Sequence, residues 1–502
     1  MDTPKPFLWG TACSAYQHEG GFNQPGLPLN NWYEWEQTGK VDKTGRSVDF
    51  WNRYEEDFRN ARSIGLTAFR LGLSWSRVQP SLDPESEAEP PFDQAAIAHY
   101  ARILISARQH GLEPLLTLHH FEHPHWLGTD AWLETGTISR FLRFIENVVP
   151  ELNRQLLEAG QQPLRWFITL NEPNMLAMVT YGLGAFPSKY HFHLSKGETA
   201  LQNMLMAHIR AYRLLHSLYE QNPSWGKPLV TFNNYTSDLY WMDQALMDVM
   251  MAPSSGIPKQ DLPDWLHDRF QNYRERFRQA DLPFSRGIAY WLSIGFKGLN
   301  NLVGPHVIRR KSFRPLFDLL YERPEERPMD YIAFDYYDPF AGHALRLPRW
   351  EEWLTPQHSL HSWLVNHLAS KTWDWRILPQ GLEFFITHYT TVYPGMPLVI
   401  AENGMSYMRS DFKAIPWRHD GLTRSGFLRQ HIPVVQELKK LGYPLEGYFH
   451  WSLTDNYEWG SFAARFGLFE VDLEHDSLER HSINTAGDNP SETLAELINP
   501  KT

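Results

Sequence analysis

A single cysteine, Cys13, stands in a chain of 502 residues. One thiol cannot build an internal disulfide framework, so a reducing compartment, the cytoplasm, is the expected setting. Basic charge is also short: 47 Lys and Arg against 58 Asp and Glu leave a formal charge of −11. That balance lacks the basic face a nucleic-acid binder needs, and no nucleic-acid partner is expected. No apolar run approaches the ~20 residues that span a bilayer. The opening Met1-Asp-Thr-Pro-Lys-Pro6 has no basic stretch followed by an apolar one, as a secretory signal would. A Pro/Gly/Ser linker long enough to divide the chain is missing, and so is a short repeat. One domain over residues 1–502 is predicted.

What is present is apolar and aromatic. The hydrophobic fraction is 42%, ample for a large core, and 14% of residues are aromatic, including 20 Trp. Indoles serve a core as well as they serve sugar rings, so this excess decides nothing by itself. The order of short β-rich runs is more informative. They fall at Phe7–Ala12, Leu66–Leu73, Glu113–His120, Arg165–Glu172, Lys227–Asn234, Asp330–Tyr337, Pro397–Glu402 and Leu445–Leu453. Between them, Ala95–His110, Ile138–Leu157, Thr199–Tyr219 and Thr423–Leu441 carry helical apolar spacing, with Gly111, Gly160 and Gly442 as stops. Eight alternations predict an α/β fold, a closed (β/α)8 barrel.

Barrel chemistry belongs at the C-terminal ends of the strands. Polar and aromatic residues gather there: Gln17, Arg70, His120, Asn171, Glu172, Tyr337, Glu402 and Trp451. Two of them end apolar runs, in Thr169-Leu-Asn-Glu-Pro173 and Ile400-Ala-Glu-Asn-Gly404. A carboxyl pair suits glycoside cleavage, in which one group holds a proton for the leaving oxygen and the other stays ionised. Pro173 biases Glu172 toward an extended backbone. Arg70, inside an apolar strand, needs a buried anion, and Glu402 is the natural one. Trp451, Glu458 and Trp459 together suit sugar binding, by stacking and hydroxyl contacts. His119-His-Phe-Glu-His-Pro-His125 invites a metal, but alternation sends His119 and His120 to opposite faces. A single sugar-binding imidazole, His120, is the better reading; no metal or other cofactor is expected.

In this order the motifs resemble the family 1 glycoside hydrolases, the β-glucosidase and β-galactosidase-like retaining enzymes. The resemblance runs from Phe7-Leu-Trp-Gly-Thr-Ala-Cys-Ser-Ala-Tyr-Gln17 and Phe69-Arg-Leu-Gly-Leu-Ser-Trp-Ser-Arg77 through the two glutamate motifs. It continues in Asp330-Tyr-Ile-Ala-Phe-Asp-Tyr-Tyr337 and from Trp451 to Arg465-Phe-Gly467. It implies net retention through a covalent glycosyl-enzyme, with Glu172 as acid/base and Glu402 as nucleophile. Arg70 and Tyr337 match the residues that hold the nucleophile. Gln17, His120, Asn171, Glu458 and Trp459 match the hydroxyl-binding positions, and Trp451 the stacking platform.

Departures from the family narrow the expectation. A serine usual in the 6-phosphosugar branch is replaced by Glu458, which would repel a dianion, so an unphosphorylated sugar is expected. Glu172 is intact where thioglucosidases carry glutamine, which points to O-glycosides. His119-His-Phe-Glu122 stands for the usual Tyr-His-Trp-Asp, and Phe121 removes an indole N–H. Asp335 stands for an asparagine and adds an acid beside the pair, predicting a shifted pH optimum. The substrate expected is a terminal β-D-glucoside, with β-galactosides and β-fucosides as further candidates. A transglycosylase with an alcohol, sugar or lipid acceptor is the alternative, and a non-catalytic sugar binder a third. Residues of about 240–326 resemble the family least. Within them Ile288–Leu302 and basic Arg309-Arg-Lys311 and Arg314 read as an ordinary helix and loop, or as an aglycone entrance or membrane face over 288–314. The oligomeric state is not legible.

Overall fold

A computed structural model of the chain describes residues 6–284, 287–308, 313–337, 340, 372–410, 413–418, 420–473 and 477–500. Eight strands carry the architecture: β1 Leu8–Ala12, β2 Ala68–Gly72, β3 Glu113–Thr117, β4 Trp166–Asn171, β5 Leu229–Tyr235, β6 Ile332–Tyr336, β7 Leu398–Asn403 and β8 Leu445–Trp451. Each pairs in parallel with its neighbours. Their hydrogen-bonded order, β1-β8-β7-β6-β5-β4-β3-β2, closes into a barrel. The (β/α)8 expectation therefore holds, strand for strand. β3 stops three residues earlier than its sequence suggested, at Thr117, so His119 and His120 lie beyond it.

Local chemistry explains the intervening helices. The Asp93 carboxylate caps Gln94–Gln109 by accepting from the Ala95 and Ala96 N–H groups, and the Thr423 hydroxyl caps Arg424–Lys440 through Gly426. Gly111, Gly160 and Gly442 have φ of +73°, +71° and +88°, the left-handed turn that ends a helix without steric penalty. Inside the barrel, Leu8, Ala68, Leu115, Trp166, Ile168, Ala333, Val399 and Phe449 form a closed core. A larger apolar layer packs between strands and helices.

Among the described residues between β5 and β6 stand the α-helices Gln244–Met251, Leu262–Gln279, Ile288–Ile308 and Arg314–Tyr321. The basic run Arg309-Arg-Lys311 lies outside the described residues. Among the described residues, no helix is long and apolar enough to cross a membrane.

Candidate active site

The C-terminal ends of the strands are irregular where chemistry is expected. The β4–β5 register shifts between Ile168 and Asn171, β6–β7 between Phe334 and Asp335, and β7–β8 between Tyr448 and His450. A bulge re-aims the side chains that follow it, here toward the barrel axis. The result is a cluster in which one carboxylate oxygen each of Glu172, Asp335 and Glu402 lies within 4.8 Å of the others.

Glu172 is not extended, as Pro173 suggested. It stands at the N-terminal boundary of the helix Pro173–Ala177 with φ 38° and ψ 61°, a left-handed conformation that is uncommon for any residue but glycine and is held by its surroundings. Two constraints override the proline bias: the helix begins at Pro173, and the Glu172 N–H donates to the Asn233 carbonyl at 3.0 Å.

Glu402 is held on both oxygens. Arg70 Nη1 donates to Oε1 at 2.7 Å and the Tyr337 hydroxyl to Oε2 at 2.7 Å. Arg70 is fully buried, and its remaining donors reach Thr117 Oγ1 at 3.0 Å, the Ala401 carbonyl at 3.0 Å and Asn171 Oδ1 at 2.5 Å. A buried guanidinium is tolerable because nearly every donor is used and a carboxylate neutralises it. Gly404, two residues on, lets the chain pass Trp451 closely, since a Cβ there would lie 2.1 Å from the Trp451 carbonyl oxygen.

These surroundings separate the two glutamates. Burial raises both carboxyls, but Arg70 and Tyr337 oppose the rise at Glu402. Glu172 is pushed up to about 8, by burial first and then by the Glu402 charge. Among the described residues, no Arg or Lys forms an ion pair with Glu172. Glu402 is thereby the better anion and Glu172 the better acid.

Asp335 complicates this pair. It is fully buried, pairs across the β6–β7 ladder with Glu402, and lies 3.9 Å from Arg70 Nη1. Its Oδ2 accepts from the Asn233 amide, and its carboxyl hydrogen-bonds the Glu172 carboxyl, a contact that raises Asp335 and lowers Glu172, as a proton donated from Asp335 would. Two carboxyls in such contact share a proton, and burial with the Glu402 and Glu172 charges holds Asp335 well above the usual range. Removing the last proton from the pair creates two adjacent anions. With asparagine at 335, ionising Glu172 creates only one. We expect Asp335→Asn to move the alkaline limb of the kcat/KM profile to lower pH by about one unit. Profiles that overlay would remove Asp335 from any part in the proton inventory.

The sugar-facing candidates line the same mouth. Gln17, on the short helix Ala15–His18, donates to Glu458 Oε2 at 3.2 Å and Asn456 Oδ1 at 3.1 Å, and Ser14 Oγ donates to Gln17 Oε1 at 2.6 Å. Enclosure raises the Glu458 carboxyl to about 8; Trp451, Asn456 and Gln17 oppose this as hydrogen-bond donors, and the Glu402 charge adds to it. His120 stacks at 5.6 Å on Trp451 and at 5.8 Å on Trp459. His119 turns away and accepts from the Trp132 indole N–H at 3.1 Å, while His123 and His125 face the Gly128 and Pro84 carbonyls. The four histidines thus diverge. Phe121 lies against Trp459 and Phe186, so its ring adds apolar wall where an indole N–H was expected.

One residue was missed. Asn233 donates to Asn171 Oδ1 at 2.9 Å as well as to Asp335, joining β4 to β6. It lies near the C-terminal end of the fifth strand, the one strand for which no site residue was drawn from the sequence. The rule that identified the others applies equally to Phe232-Asn-Asn-Tyr235.

Comparison with known proteins agrees with this geometry. The profile of glycosyl hydrolase family 1 matches residues 1–242 and 269–487, so the match lapses over 243–268 alone within the helical segment before β6. A 6-phospho-beta-galactosidase 1 of Streptococcus pneumoniae is 28% identical over 488 residues, 94% of each chain. A bifunctional beta-D-glucosidase/beta-D-fucosidase of Bifidobacterium breve is 27% identical over 506 residues, 94% of this chain and 95% of the other. The solved beta-glucosidase of Exiguobacterium antarcticum B7 superposes with a TM-score of 0.67 at 21% identity, covering 99% and 98% of the two chains. A closed parallel barrel, paired carboxyls on β4 and β7 and a profile match over nearly the whole length lead to one assignment: the chain belongs to glycosyl hydrolase family 1 and is a retaining O-glycosyl hydrolase.

Proposed function

We propose that this enzyme cleaves terminal, unphosphorylated β-D-glucosides from the non-reducing end, with Glu172 as acid/base and Glu402 as nucleophile. The observation that carries the roles is the asymmetry of the two carboxyls. Glu402 is bonded by Arg70 and Tyr337, whereas Glu172 forms no ion pair with an Arg or Lys among the described residues and is pushed up to about 8. In the first step Glu402 attacks the anomeric carbon while Glu172 gives its proton to the departing oxygen. In the second, ionised Glu172 takes a proton from water, which displaces Glu402. A short separation between the carboxyls suits this route, because an inverting enzyme needs roughly 6.5–9.5 Å to lodge a water.

The sugar class rests on Glu458. Its neighbours Trp451, Asn456 and Gln17 are neutral donors, and Glu402 adds negative charge. A hydroxyl pair fits there, hydrogen-bonded to the Glu458 carboxyl and accepting from Gln17. A phosphate dianion would meet an acid and no cation among these partners. His120, Asn171, Trp459 and the Trp451 face supply the remaining hydroxyl and stacking contacts. β-Fucosides and β-galactosides fit the same contacts and rank next.

The pneumococcal relative's printed name makes a 6-phosphogalactoside the competing substrate. A panel of p-nitrophenyl β-glycosides separates the two. We expect kcat/KM on the glucoside to exceed that on the 6-phosphogalactoside by about 10²-fold or more, as desolvating a phosphate dianion with no cation among these partners would produce. The reverse order would overturn the sugar assignment while leaving the two catalytic roles intact.

A further inference from the structure

The segment that carries Trp451, Glu458 and Trp459 leaves β8 and is then overlaid by the chain that follows it. The Leu468 N–H donates to the Ser452 carbonyl at 3.0 Å, and the Phe469 N–H to the Leu453 carbonyl at 2.8 Å. Gly467 stands where the two runs come closest. A Cβ there would lie 2.2 Å from the Asp455 nitrogen and 2.4 Å from the Phe469 carbonyl oxygen. Asp455, fully buried, joins the runs. Its Oδ1 accepts from the Gly467 N–H at 3.0 Å and its Oδ2 from the Val471 N–H at 3.4 Å, while its own N–H donates to the Phe469 carbonyl at 3.2 Å. From Asp455 to Glu458 every residue is then fastened. Asn456 Nδ2 donates to Ser452 Oγ at 3.1 Å, the Tyr457 N–H to the Gln17 carbonyl at 3.1 Å, and the Glu458 N–H to the Ser461 carbonyl at 2.8 Å.

A second buried charge faces Asp455. Arg424, the first residue of the helix Arg424–Lys440, is fully buried, and its Nη2 lies 3.5 Å from Asp455 Oδ1. Its guanidinium also lies 4.2 Å over the Tyr407 ring. Tyr407 pairs in register with Arg465, whose Nη1 is 3.9 Å from Asp455 Oδ2. None of the three Arg424 guanidinium nitrogens has a hydrogen-bond acceptor among the described residues. Arg70, by contrast, uses nearly every donor. A buried ion pair without such bonds offsets its desolvation poorly, and an apolar side chain in place of the cation would stabilise the fold about as well. Stability therefore does not account for Arg424. What the cation holds in place does.

Resting on the reading of Glu458 as the sugar-binding carboxyl, we propose that Arg424 and Asp455 are positioning residues for the sugar pocket. Arg424 holds the Asp455 carboxylate, and Asp455 fixes the chain three residues before Glu458 and four before Trp459. Both side chains are fully buried and act on the sugar only through those two residues. A hydrogen bond tolerates only a few tenths of an ångström of misplacement. A loop slackened at its root would lose the Glu458 contact in the ground state and the transition state alike, so the loss falls on KM and leaves kcat nearly as it was. The link between Arg424 and Asp455 is one Coulombic contact at 3.5 Å, not a two-pronged fork on a carboxylate. It calls for a positive charge rather than for guanidinium geometry.

The test is a double-mutant cycle on the full chain, read as kcat and KM on p-nitrophenyl β-glucoside. Arg424→Met removes the charge, keeps an apolar stem and leaves Asp455 with Arg465. It is expected to fold, to raise KM at least about tenfold and to hold kcat within about threefold, the loss of one sugar hydrogen bond. Arg424→Lys, which restores the charge, is expected to recover most of that loss. The alkaline limb of the pH profile, set by Glu172, is expected to stay at its parent position. In a Glu458→Gln background the same Arg424→Met change is expected to raise KM by less than about threefold, because the residue it acts through has already been altered. A merely structural role would cost the same in both backgrounds. Parent KM in Arg424→Met, an undiminished effect beside Glu458→Gln, or a lysine variant no better than the methionine one overturns the proposal. So does failure of Arg424→Met to fold, which would assign the ion pair to folding. Glu458→Gln alone reports on the underlying reading. If it raises KM while Arg424→Met does not, this inference falls alone. If it leaves KM unchanged, the role given to Glu458 falls.

Discussion

Glu402→Ala is expected to lower kcat on aryl β-glucosides by roughly 10⁴-fold or more, about 5.5 kcal/mol of transition-state stabilisation. Removing the proposed nucleophile abolishes the covalent intermediate. The complication is Arg70, a fully buried guanidinium that loses its carboxylate partner. A buried cation left alone would cost about 3–5 kcal/mol and could unfold the chain. Here Asp335 stands 3.9 Å from the same nitrogen. It can ionise in place of Glu402, so the variant is expected to fold with a modest loss of melting temperature. Azide then separates a missing nucleophile from a damaged site: with Glu402→Gly it enters the vacated space and gives the α-glycosyl azide. A β-configured product, or activity retained in the alanine variant, would overturn the assignment of Glu402.

Glu172→Gln is expected to lower kcat/KM for alkyl glucosides by roughly 10²–10⁴-fold, the range of a positioned general acid. The loss should shrink as the leaving group becomes a better one, because a nitrophenolate departs without a proton. Glutamine keeps the shape and a hydrogen bond to Asp335 but has no proton to give. The pH dependence is the second signature. Glu172 is raised to about 8, so the parent should lose kcat/KM as pH rises through that region and the acid ionises. That limb should be absent from Glu172→Gln. If it persisted, another group would be the titrating acid, and Asp335, which shares the proton, would be the first to examine.

The same contacts make Asp335 and Glu402 opposite in behaviour although they are neighbours on one ladder. Arg70 Nη1 lies 2.7 Å from Glu402 and 3.9 Å from Asp335, a difference that assigns the single cation to one of them. Three buried carboxyls beside one guanidinium cannot all ionise. The proton therefore stays between Asp335 and Glu172, as the proposed acid role of Glu172 requires.

Much of this was legible in the chain. Eight β-rich runs separated by helical spacing name a closed barrel, since short strands alternating with amphipathic helices can bury their apolar faces in few other ways. The strand-end rule then selected Glu172, Glu402, Arg70 and Tyr337, and the structure brings those four side chains together. Asn233 was overlooked because its strand end offered no charged side chain, only two neutral amides between aromatics. The left-handed backbone of Glu172 was hidden for a different reason. A local proline preference was outweighed by a strand bulge and by a hydrogen bond to Asn233, 61 residues away.

By itself, then, the sequence determined the barrel, the pair of glutamates on its fourth and seventh strands, and the family, because periodicity and motif order are properties of the chain read in one dimension. Only the tertiary structure decided which carboxyl owns Arg70 and that Asp335 shares the Glu172 proton. It alone showed that the helix Ile288–Ile308 leaves Trp291, Leu292, Leu299 and Leu302 exposed. Those are differences of an ångström or two between groups far apart in sequence. Coulomb energy and desolvation depend on such distances, and no spacing along the chain encodes them.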